Sequence, residues 1–305
     1  MYRFREILVA LDLSKTDENM IKYAFGVANV VEAEEVIFMH VAQNQDLKET
    51  VQTEEGKSIT RKEELKLKIS NIVDHCNKIA PNTKAIVEVL TGDPITIMLK
   101  ASKEQKVDLI MVGRKSVGEG SGKVSRSLAR RALCAVMSVP FNAKLELNKV
   151  ILPIDYSKFS KMAIEKAIAL SKKRPELEII CLNIYTLPQG YLSSGKSEEE
   201  FAKIMKQNAE KEYNHFMKQF DLEGLKVTPR FQLDTKNFFA KIIFNVALVE
   251  DANLIIIGSK GRTTMAAAFL GSTTEKLLKF NIAVPTMILK SRKQNLGFFE
   301  ALLKI

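Results

Sequence analysis

The sequence ILVALD at residues 7–12 returns as VILPID at residues 150–155, each time followed within two residues by a serine and then by a helix-like stretch. A second stretch also repeats: VDLIMVG ends at Gly113, and ANLIIIG ends at Gly258. The two offsets are 143 and 145 residues, and so small a drift is typical of loop insertions in a duplicated domain. The sequence therefore predicts two copies of one domain.

Within each copy, short runs of Val, Ile and Leu alternate with longer stretches of helical periodicity, which is typical of parallel strands joined by crossover helices. The strands predicted for the first copy are 5–11, 35–42, 84–90, 107–112 and 136–142, and its helices are 17–31, 57–80, 93–105 and 125–134. The strands predicted for the second copy are 149–154, 178–185, 226–233, 253–257 and 284–289. We expect an α/β fold of two repeated doubly wound domains, each a five-stranded parallel sheet in the order 3-2-1-4-5 with helices on both faces.

The length of the chain, 305 residues, favours two domains, because a single core stops growing at roughly 250 to 300 residues. The repeat predicts a first domain over residues 1–145 and a second over residues 146–295. Residues 296–305, LGFFEALLKI, are predicted to form a C-terminal amphipathic tail. We expect this tail to dock on a subunit or domain surface.

The composition is that of an ordinary globular protein, with 46% hydrophobic and 27% charged residues. No window approaches the roughly 18 uninterrupted apolar residues of a membrane span, and no signal peptide precedes the first strand. Three cysteines lie far apart without metal-binding spacing, which favours a reducing cytoplasm. The net charge of +10 is interleaved with acidic residues, so that no specific nucleic-acid partner is predicted.

A ligand crevice is expected at one edge of each sheet. Open parallel sheets bind ligands beyond the carboxyl ends of their strands, at the point where the strand order reverses. In the order 3-2-1-4-5 this point lies between the first and fourth strands. Asp155 follows the first strand of the second copy, and Gly258 ends the fourth. The sequence therefore predicts that these two residues lie in one crevice.

A glycine pattern begins at this crevice. It consists of Gly258 and Gly261, then nine residues, then Gly271 followed by Ser272 and Thr273. Glycine lets the backbone approach a ligand closely, and the helix predicted after Gly271 offers free N–H groups to phosphate oxygens. Two structural alternatives remain open, because Gly258 and Gly261 also suit an ordinary turn, and Ser272 with Glu275 also suits a capping box.

The spacing of this pattern resembles that of the universal stress protein family, whose nucleotide-binding members carry GxxG, nine residues, then glycine and a hydroxyl residue. The resemblance covers almost the whole chain twice and implies an ATP site, with Mg²⁺ as an accompanying ion left open. The residues that it assigns to the nucleotide are Pro153, Asp155, Ile184, Gly258, Gly261, Arg262, Gly271, Ser272 and Thr273. It implies that Asp155 and Ile184 meet the adenosine end and that the glycine loop holds the phosphates.

Asp155 and Arg262 also suit roles that need no nucleotide. An aspartate between a strand and a helix, such as Asp155, often caps the helix or forms an Asx-turn. Arg262 equally suits a solvated loop, although as a phosphate ligand it would supply a charge-assisted fork. Ile184 stands where the family usually has valine.

The first copy departs from the glycine pattern. Gly113 is kept, but Ser116 and Arg126 stand where the second copy has Gly261 and Gly271. Side chains at positions 116 and 126 are expected to crowd the path of a triphosphate. The sequence therefore predicts that the first domain keeps the fold but has a degenerate nucleotide site.

The leading functional hypothesis is a cytoplasmic ATP-binding stress or signalling protein, in which the nucleotide changes conformation or assembly. One alternative is a slow ATPase or phosphotransfer enzyme, and another is a nucleotide-free interaction scaffold. No residue is predicted to be catalytic, because His40, His75 and His215 all lie outside the predicted phosphate loop. As partners we expect the nucleotide and either a homodimer or pairing of the two domains within one chain.

Overall fold

A computed structural model describes residues 4–42, 45–52, 58–115, 122–188, 190–191, 195, 197–261 and 270–290 of the protein. These residues divide into two units, one ending at Leu145 and the other running from Glu146 to Lys290. The predicted tail over residues 296–305 lies outside the described residues, as does Arg262. No helix in the described ranges is both long and apolar enough to cross a bilayer.

The described part of the first domain contains a parallel sheet, a short hairpin and four α-helices. Its strands are β1 (Glu6–Leu11), β2 (Glu35–Ala42), β3 (Thr50–Gln52), β4 (Ser58–Thr60), β5 (Lys84–Thr91), β6 (Leu109–Arg114) and β7 (Ala135–Pro140). Its helices are α1 (Asp17–Val31), α2 (Arg61–Cys76), α3 (Pro94–Glu104) and α4 (Lys123–Arg131). Single 3-10 turns cover Gln45–Lys48 and Asn77–Ile79.

The helix predicted over residues 57–80 is shorter in the structure, so this prediction was wrong at both ends. Residues 58–60 form β4, which pairs antiparallel with β3. The Thr60 hydroxyl then accepts a hydrogen bond from the N–H of Glu63, whose carboxylate accepts one from the N–H of Thr60. This capping box begins α2 at Arg61. Periodicity alone misses the change, because a short exposed hairpin has no apolar pattern to oppose that of the helix.

The second domain repeats the same order of strands and helices. Its strands are β8 (Lys149–Ile154), β9 (Glu178–Tyr185), β10 (Lys226–Leu233), β11 (Leu254–Gly258) and β12 (Thr286–Leu289). Its helices are α5 (Lys158–Ser171), α6 (Glu198–Met217), α7 (Phe239–Val249) and α8 (Ser272–Phe280).

Both sheets have the strand order that the sequence predicts. In the first domain β1 lies between β2 and β6, while β5 pairs with β2 and β7 with β6. In the second domain β8 lies between β9 and β11, while β10 pairs with β9 and β12 with β11. All of these pairs are parallel, which makes the order 3-2-1-4-5 in each domain. The prediction of two repeated doubly wound domains is confirmed.

The duplication extends to single hydrogen bonds. Asp108, just before β6, accepts the N–H of Arg5 at 2.8 Å and joins the start of β6 to the start of β1. Asn253, just before β11, accepts the N–H of Asn148 at 2.9 Å in the same way. Each side chain accepts a hydrogen bond from a backbone N–H group just before the first strand of its domain, where the hydrogen bonds between strands have not yet begun. The two copies therefore share local bonding as well as topology.

The central strands are buried because helices cover both faces of each sheet. Ile7, Leu8, Val150 and Ile151 on β1 and β8 have no exposed surface. Such continuously apolar strands are typical of parallel sheets between two helical layers. Polar side chains that could bind a ligand therefore lie at the edges of the sheet, in the loops at the carboxyl ends of the strands.

Candidate functional site

The loop after β8 holds Asp155 at the carboxyl edge of the second sheet. Its Oδ1 atom accepts hydrogen bonds from the N–H of Ser157 at 3.1 Å and from the hydroxyl of Ser160 at 2.7 Å. The cap of α5 is Ser157, whose side chain accepts the N–H of Ser160. Asp155 therefore forms the Asx-turn that the sequence left open, and it is not the helix cap.

Gly261 lies close to the second carboxylate oxygen of Asp155. A Cβ atom built at position 261 would lie 2.7 Å from Asp155 Oδ2, which is nearer than van der Waals radii allow. Only a residue without a side chain lets the carboxylate reach the glycine loop in this way. These two residues, distant in sequence, thus form one wall of the crevice between β8 and β11.

Gly271 brings the far end of the glycine pattern back to its start. Its N–H donates to the carbonyl of Ser259 at 2.7 Å. A Cβ atom at position 271 would lie 3.4 Å from that oxygen and 3.9 Å from the backbone N of Gly261. The two glycine segments are therefore in contact, although nine residues separate them in the chain.

The N-terminus of α8 follows directly. Gly271 is the N-cap residue, and no described side chain caps the helix, so the capping box considered for Ser272 and Glu275 is not formed. Ser272 is exposed and Thr273 half-buried in the first turn. The first N–H groups of α8 and the positive end of its dipole therefore face the loop region without a side-chain acceptor from the described residues.

Two residues that the sequence did not single out support this loop. The hydroxyl of Thr274 donates to the carbonyl of Gly258 at 2.9 Å and ties α8 to the end of β11. Lys260 is only 8% exposed, and burial lowers the pKa of its ammonium group. Lys260 lies inside the glycine pattern and Thr274 directly follows it, and the motif itself gives no signal that either residue is buried.

Pro153 and Ile184 lie on neighbouring strands at the same edge. Pro153 pairs with Leu182, and the last pair of β8 and β9 joins Ile154 to Asn183. Ile184 is therefore the residue of β9 beside the end of β8, and it is half-buried, as is Pro153. An apolar side chain is thus placed next to Asp155 by strand register.

The residue before Ile184 and its equivalent in the first domain contact the backbone in the same way. Asn183 is buried, and its amide donates to the carbonyl of Ile154 at 3.1 Å. His40 occupies the same place in the first domain, where its Nδ1 atom lies 3.1 Å from the carbonyl of Leu11. His40 is 9% exposed, as expected of a core histidine.

Phe159 fills space beside Gly258 in the second domain. A Cβ atom on Gly258 would overlap the Cβ of Phe159 and would lie 3.1 Å from the carbonyl of Lys260. In the first domain the corresponding residues are Thr16 and Gly113, and nothing lies within 4 Å of a Cβ atom built on Gly113. The surroundings of this glycine therefore differ between the two copies.

The first domain uses its equivalent of Asp155 differently. The ammonium of Lys115 lies 2.8 Å from Asp12 Oδ2, across the point where the strand order reverses. Burial raises the pKa of Asp12, but the hydrogen bonds from Lys115 and Ser14 outweigh it, so that the pKa lies below its usual value. Asp12 is therefore a paired carboxylate.

Asp17 stands beside Asp12 where the second domain has Ser160. It is 9% exposed, and its Oδ2 accepts the N–H of Leu13 at 2.8 Å. Burial and, after it, the charge of Asp12 raise the pKa of Asp17 to about 6. Because this exceeds the ordinary value of 3.8, the folded protein keeps a proton that the unfolded chain has lost between about pH 4 and pH 6.

The free energy of unfolding is therefore expected to fall as the pH rises through this window and to be flat above it. Asp17→Asn removes the titration and keeps an oxygen acceptor for Leu13. We expect it to stabilise the protein at pH 8 by on the order of 2 kcal/mol and to have little effect at pH 4. Thermal unfolding midpoints of both proteins between pH 4 and pH 8 measure this, and parallel curves would contradict the assignment.

The helix after the first-domain loop begins earlier than its counterpart. α4 starts at Lys123, and the N–H of Arg126 donates to the carbonyl of Gly122 at 3.2 Å within its first turn. Gly271, the residue equivalent to Arg126, instead precedes α8 as its N-cap. The loop-to-helix junction of the second domain is thus absent from the described residues of the first.

Comparison with known proteins agrees with the duplicated fold. The model of the universal stress protein family matches residues 3–140 and again 146–290. A universal stress protein of Methanocaldococcus jannaschii is 26% identical over 147 residues, which cover 43% of this chain and 88% of that protein. A second universal stress protein of the same organism is 24% identical over 158 residues, covering 52% of this chain and 90% of that protein.

Solved structures show the same architecture over the whole chain. A universal stress protein from Archaeoglobus fulgidus has a TM-score of 0.61 at 20% identity and covers 95% of this chain and 97% of its own. A structure from Pseudomonas aeruginosa has a TM-score of 0.68 at 14% identity, covering 98% of this chain and 97% of its own. These identities bear on the fold alone, whereas the family model matches nearly every residue in two copies. The chain therefore belongs to the universal stress protein family, as a member with two tandem domains.

Proposed function

We propose that the second domain binds ATP in the crevice between Asp155 and the glycine loop, and that the nucleotide regulates a cytoplasmic stress or signalling role. The observation that carries the proposal is the approach of Gly261 to the carboxylate of Asp155. This approach places the Asp155 carboxylate, a hydrogen-bond acceptor suited to ribose hydroxyls, beside a loop suited to phosphate. Both lie where the strand order reverses, which is where such sheets bind ligands.

The phosphate end of the proposal rests on the junction at Gly271. The two glycine segments meet there, and α8 begins without a described side-chain cap. Free N–H groups at a helix N-terminus favour an anion. The buried ammonium of Lys260 adds positive charge in the same loop, and a neighbouring anion favours the charged form of a buried lysine.

The adenosine end of the proposal rests on Asp155, Pro153 and Ile184. The carboxylate is an acceptor, while the two apolar side chains are half-buried at the adjoining strand ends. In the described residues no three His, Cys, Asp or Glu side chains are grouped to hold a metal ion. Any Mg²⁺ that accompanies ATP would therefore be held chiefly through the phosphates, as is usual for this ion.

Equilibrium binding of ATP to the full chain tests the proposal, with a matched pair of variants. Ser272→Ala removes a hydroxyl donor at the start of α8, and Ser127→Ala removes the corresponding hydroxyl in α4 of the first domain. We expect one ATP per chain, a loss of affinity of about tenfold for Ser272→Ala, and no change for Ser127→Ala. Calorimetric titration measures all three.

Two outcomes would contradict the proposal: no binding by the unaltered protein, or an equal loss for both serine variants. The first outcome would favour a nucleotide-free interaction scaffold. The second would place ATP outside the second domain. Phosphate release by the same samples distinguishes a binding protein from a slow ATPase or phosphotransfer enzyme.

A further inference from the structure

A cavity of about 650 Å³ lies in the first domain at the carboxyl end of its sheet. Small-molecule sites commonly have volumes of roughly 300 to 1,000 Å³. The sequence predicts that side chains at positions 116 and 126 crowd a triphosphate here; Ser116 lies outside the described residues, and Arg126 lies in α4 and is not among the residues that line the cavity. Nothing lies within 4 Å of a Cβ atom built on Gly113, which lines the cavity together with Thr16.

The walls of this cavity are mainly apolar. They come from α1, α2 and α3 as well as from the strand ends, and they include Met20, Tyr23, Val41, Leu65, Met98 and Val112. All six side chains are buried. A mainly apolar cavity favours a ligand with an apolar body, because its burial removes apolar area from water.

One end of the cavity is strongly basic. Arg114, Lys115 and Lys123 line it, and α4 carries three further arginines and no acidic residue. Arg114 is 7% exposed, and its guanidinium packs against Gly122 at the start of α4. Burial and the like charge of Arg126 lower the pKa of Arg114. An anionic group at this end would offset the repulsion between the two guanidinium groups.

The acidic side chains of the cavity offset only part of this charge, because the described lining carries Arg61, Arg114, Lys115 and Lys123 against Asp12 and Asp17. Asp12, the residue equivalent to Asp155, is paired with Lys115. Asp17 accepts a backbone hydrogen bond within its own loop. Together with the earlier start of α4, this arrangement differs from the one proposed to hold ATP in the second domain.

We infer that the first domain binds a small organic anion, with an apolar body in the cavity and one anionic group at the start of α4, and that this ligand is not ATP. This site is additional to the nucleotide site proposed for the second domain. Its specificity follows from open space beside Gly113, apolar walls, and the basic residues Arg114 and Lys123.

Two fluorescent probes test this inference on the full chain in saturating ATP: anilinonaphthalene sulfonate, which is an anion, and its uncharged analogue N-phenylnaphthylamine. We expect one sulfonate probe per chain, bound about tenfold more tightly than the uncharged analogue. Lys123→Gln should weaken the sulfonate about fivefold and leave the analogue unchanged. Lys100→Gln, an exposed lysine of α3 outside the cavity lining, should change neither.

Thr16→Phe places an aromatic side chain at a residue that lines the cavity. It is expected to weaken both probes at least about tenfold, with circular dichroism showing that the fold is kept. The inference is wrong if Thr16→Phe folds and binds both probes normally, or if Lys123→Gln and Lys100→Gln behave alike. Weaker binding of the sulfonate in saturating ATP than in its absence would also overturn it, because the cavity would then be a second nucleotide site.

Discussion

Gly261→Val is expected to lower the affinity of the protein for ATP at least about a hundredfold. A Cβ atom at this position would lie 2.7 Å from Asp155 Oδ2, so the carboxylate must turn away from the crevice. The branched side chain would also occupy the space in which the backbone approaches the ligand. Both the ribose and the phosphate contacts proposed for this crevice should therefore weaken together. Calorimetric titration with ATP measures the effect.

The fold should survive this change, because the obstructed atom is the end of a side chain that is able to rotate. We expect the thermal midpoint of Gly261→Val to stay within a few degrees of the unaltered protein. Gly261→Ala provides a graded comparison: it displaces Asp155 with less added bulk, and we expect an intermediate loss of affinity. Unchanged affinity in both variants would remove the nucleotide from this crevice.

Gly258→Ala is expected to destabilise the second domain by about 2 kcal/mol or more. Its new Cβ would overlap the Cβ of Phe159 and approach the carbonyl of Lys260 to 3.1 Å. Neither atom is at the free end of a side chain, so that β11 or α5 must shift to make room. The thermal midpoint should fall by several degrees, at about 4 °C for each kcal/mol in a domain of this size.

The matched control for this prediction is Gly113→Ala at the equivalent place in the first domain. Nothing lies within 4 Å of the added Cβ, and we expect a change below about 0.5 kcal/mol. Equal effects of the two substitutions on the unfolding midpoint would show that backbone freedom, and not the contact with Phe159, requires glycine at position 258.

The sequence alone predicts the strands of the second domain. The strands predicted over residues 149–154, 178–185 and 226–233 coincide with β8, β9 and β10. Continuously apolar runs between helical stretches are a local signal, and they persist because packing on both faces of a parallel sheet demands them. The β3–β4 hairpin could not be predicted in this way, because its short, exposed strands carry no such periodicity.

The candidate site is predictable in part. The glycine spacing and strand order together predict that Asp155 and Gly258 share one crevice, and the structure places Gly261 of the same loop against Asp155. The roles of Thr274 and Lys260 have no counterpart in the motif, because a hydroxyl at a helix start and a lysine in a loop are usually exposed. Their burial depends on how α8 packs against the end of β11.

Two features were determined by the sequence itself. The duplication is evident because the repeated segments are separated by nearly equal numbers of residues. The parallel strand order of each copy follows from apolar strands that are joined by crossover helices. Tertiary structure alone decided what surrounds the equivalent glycines Gly113 and Gly258. A Cβ atom on Gly258 would overlap Phe159, which lies about one hundred residues away in the chain, whereas nothing lies within 4 Å of a Cβ atom on Gly113. Such contacts have no sequence periodicity, because packing of one helix residue against one strand end leaves no repeating pattern in the chain.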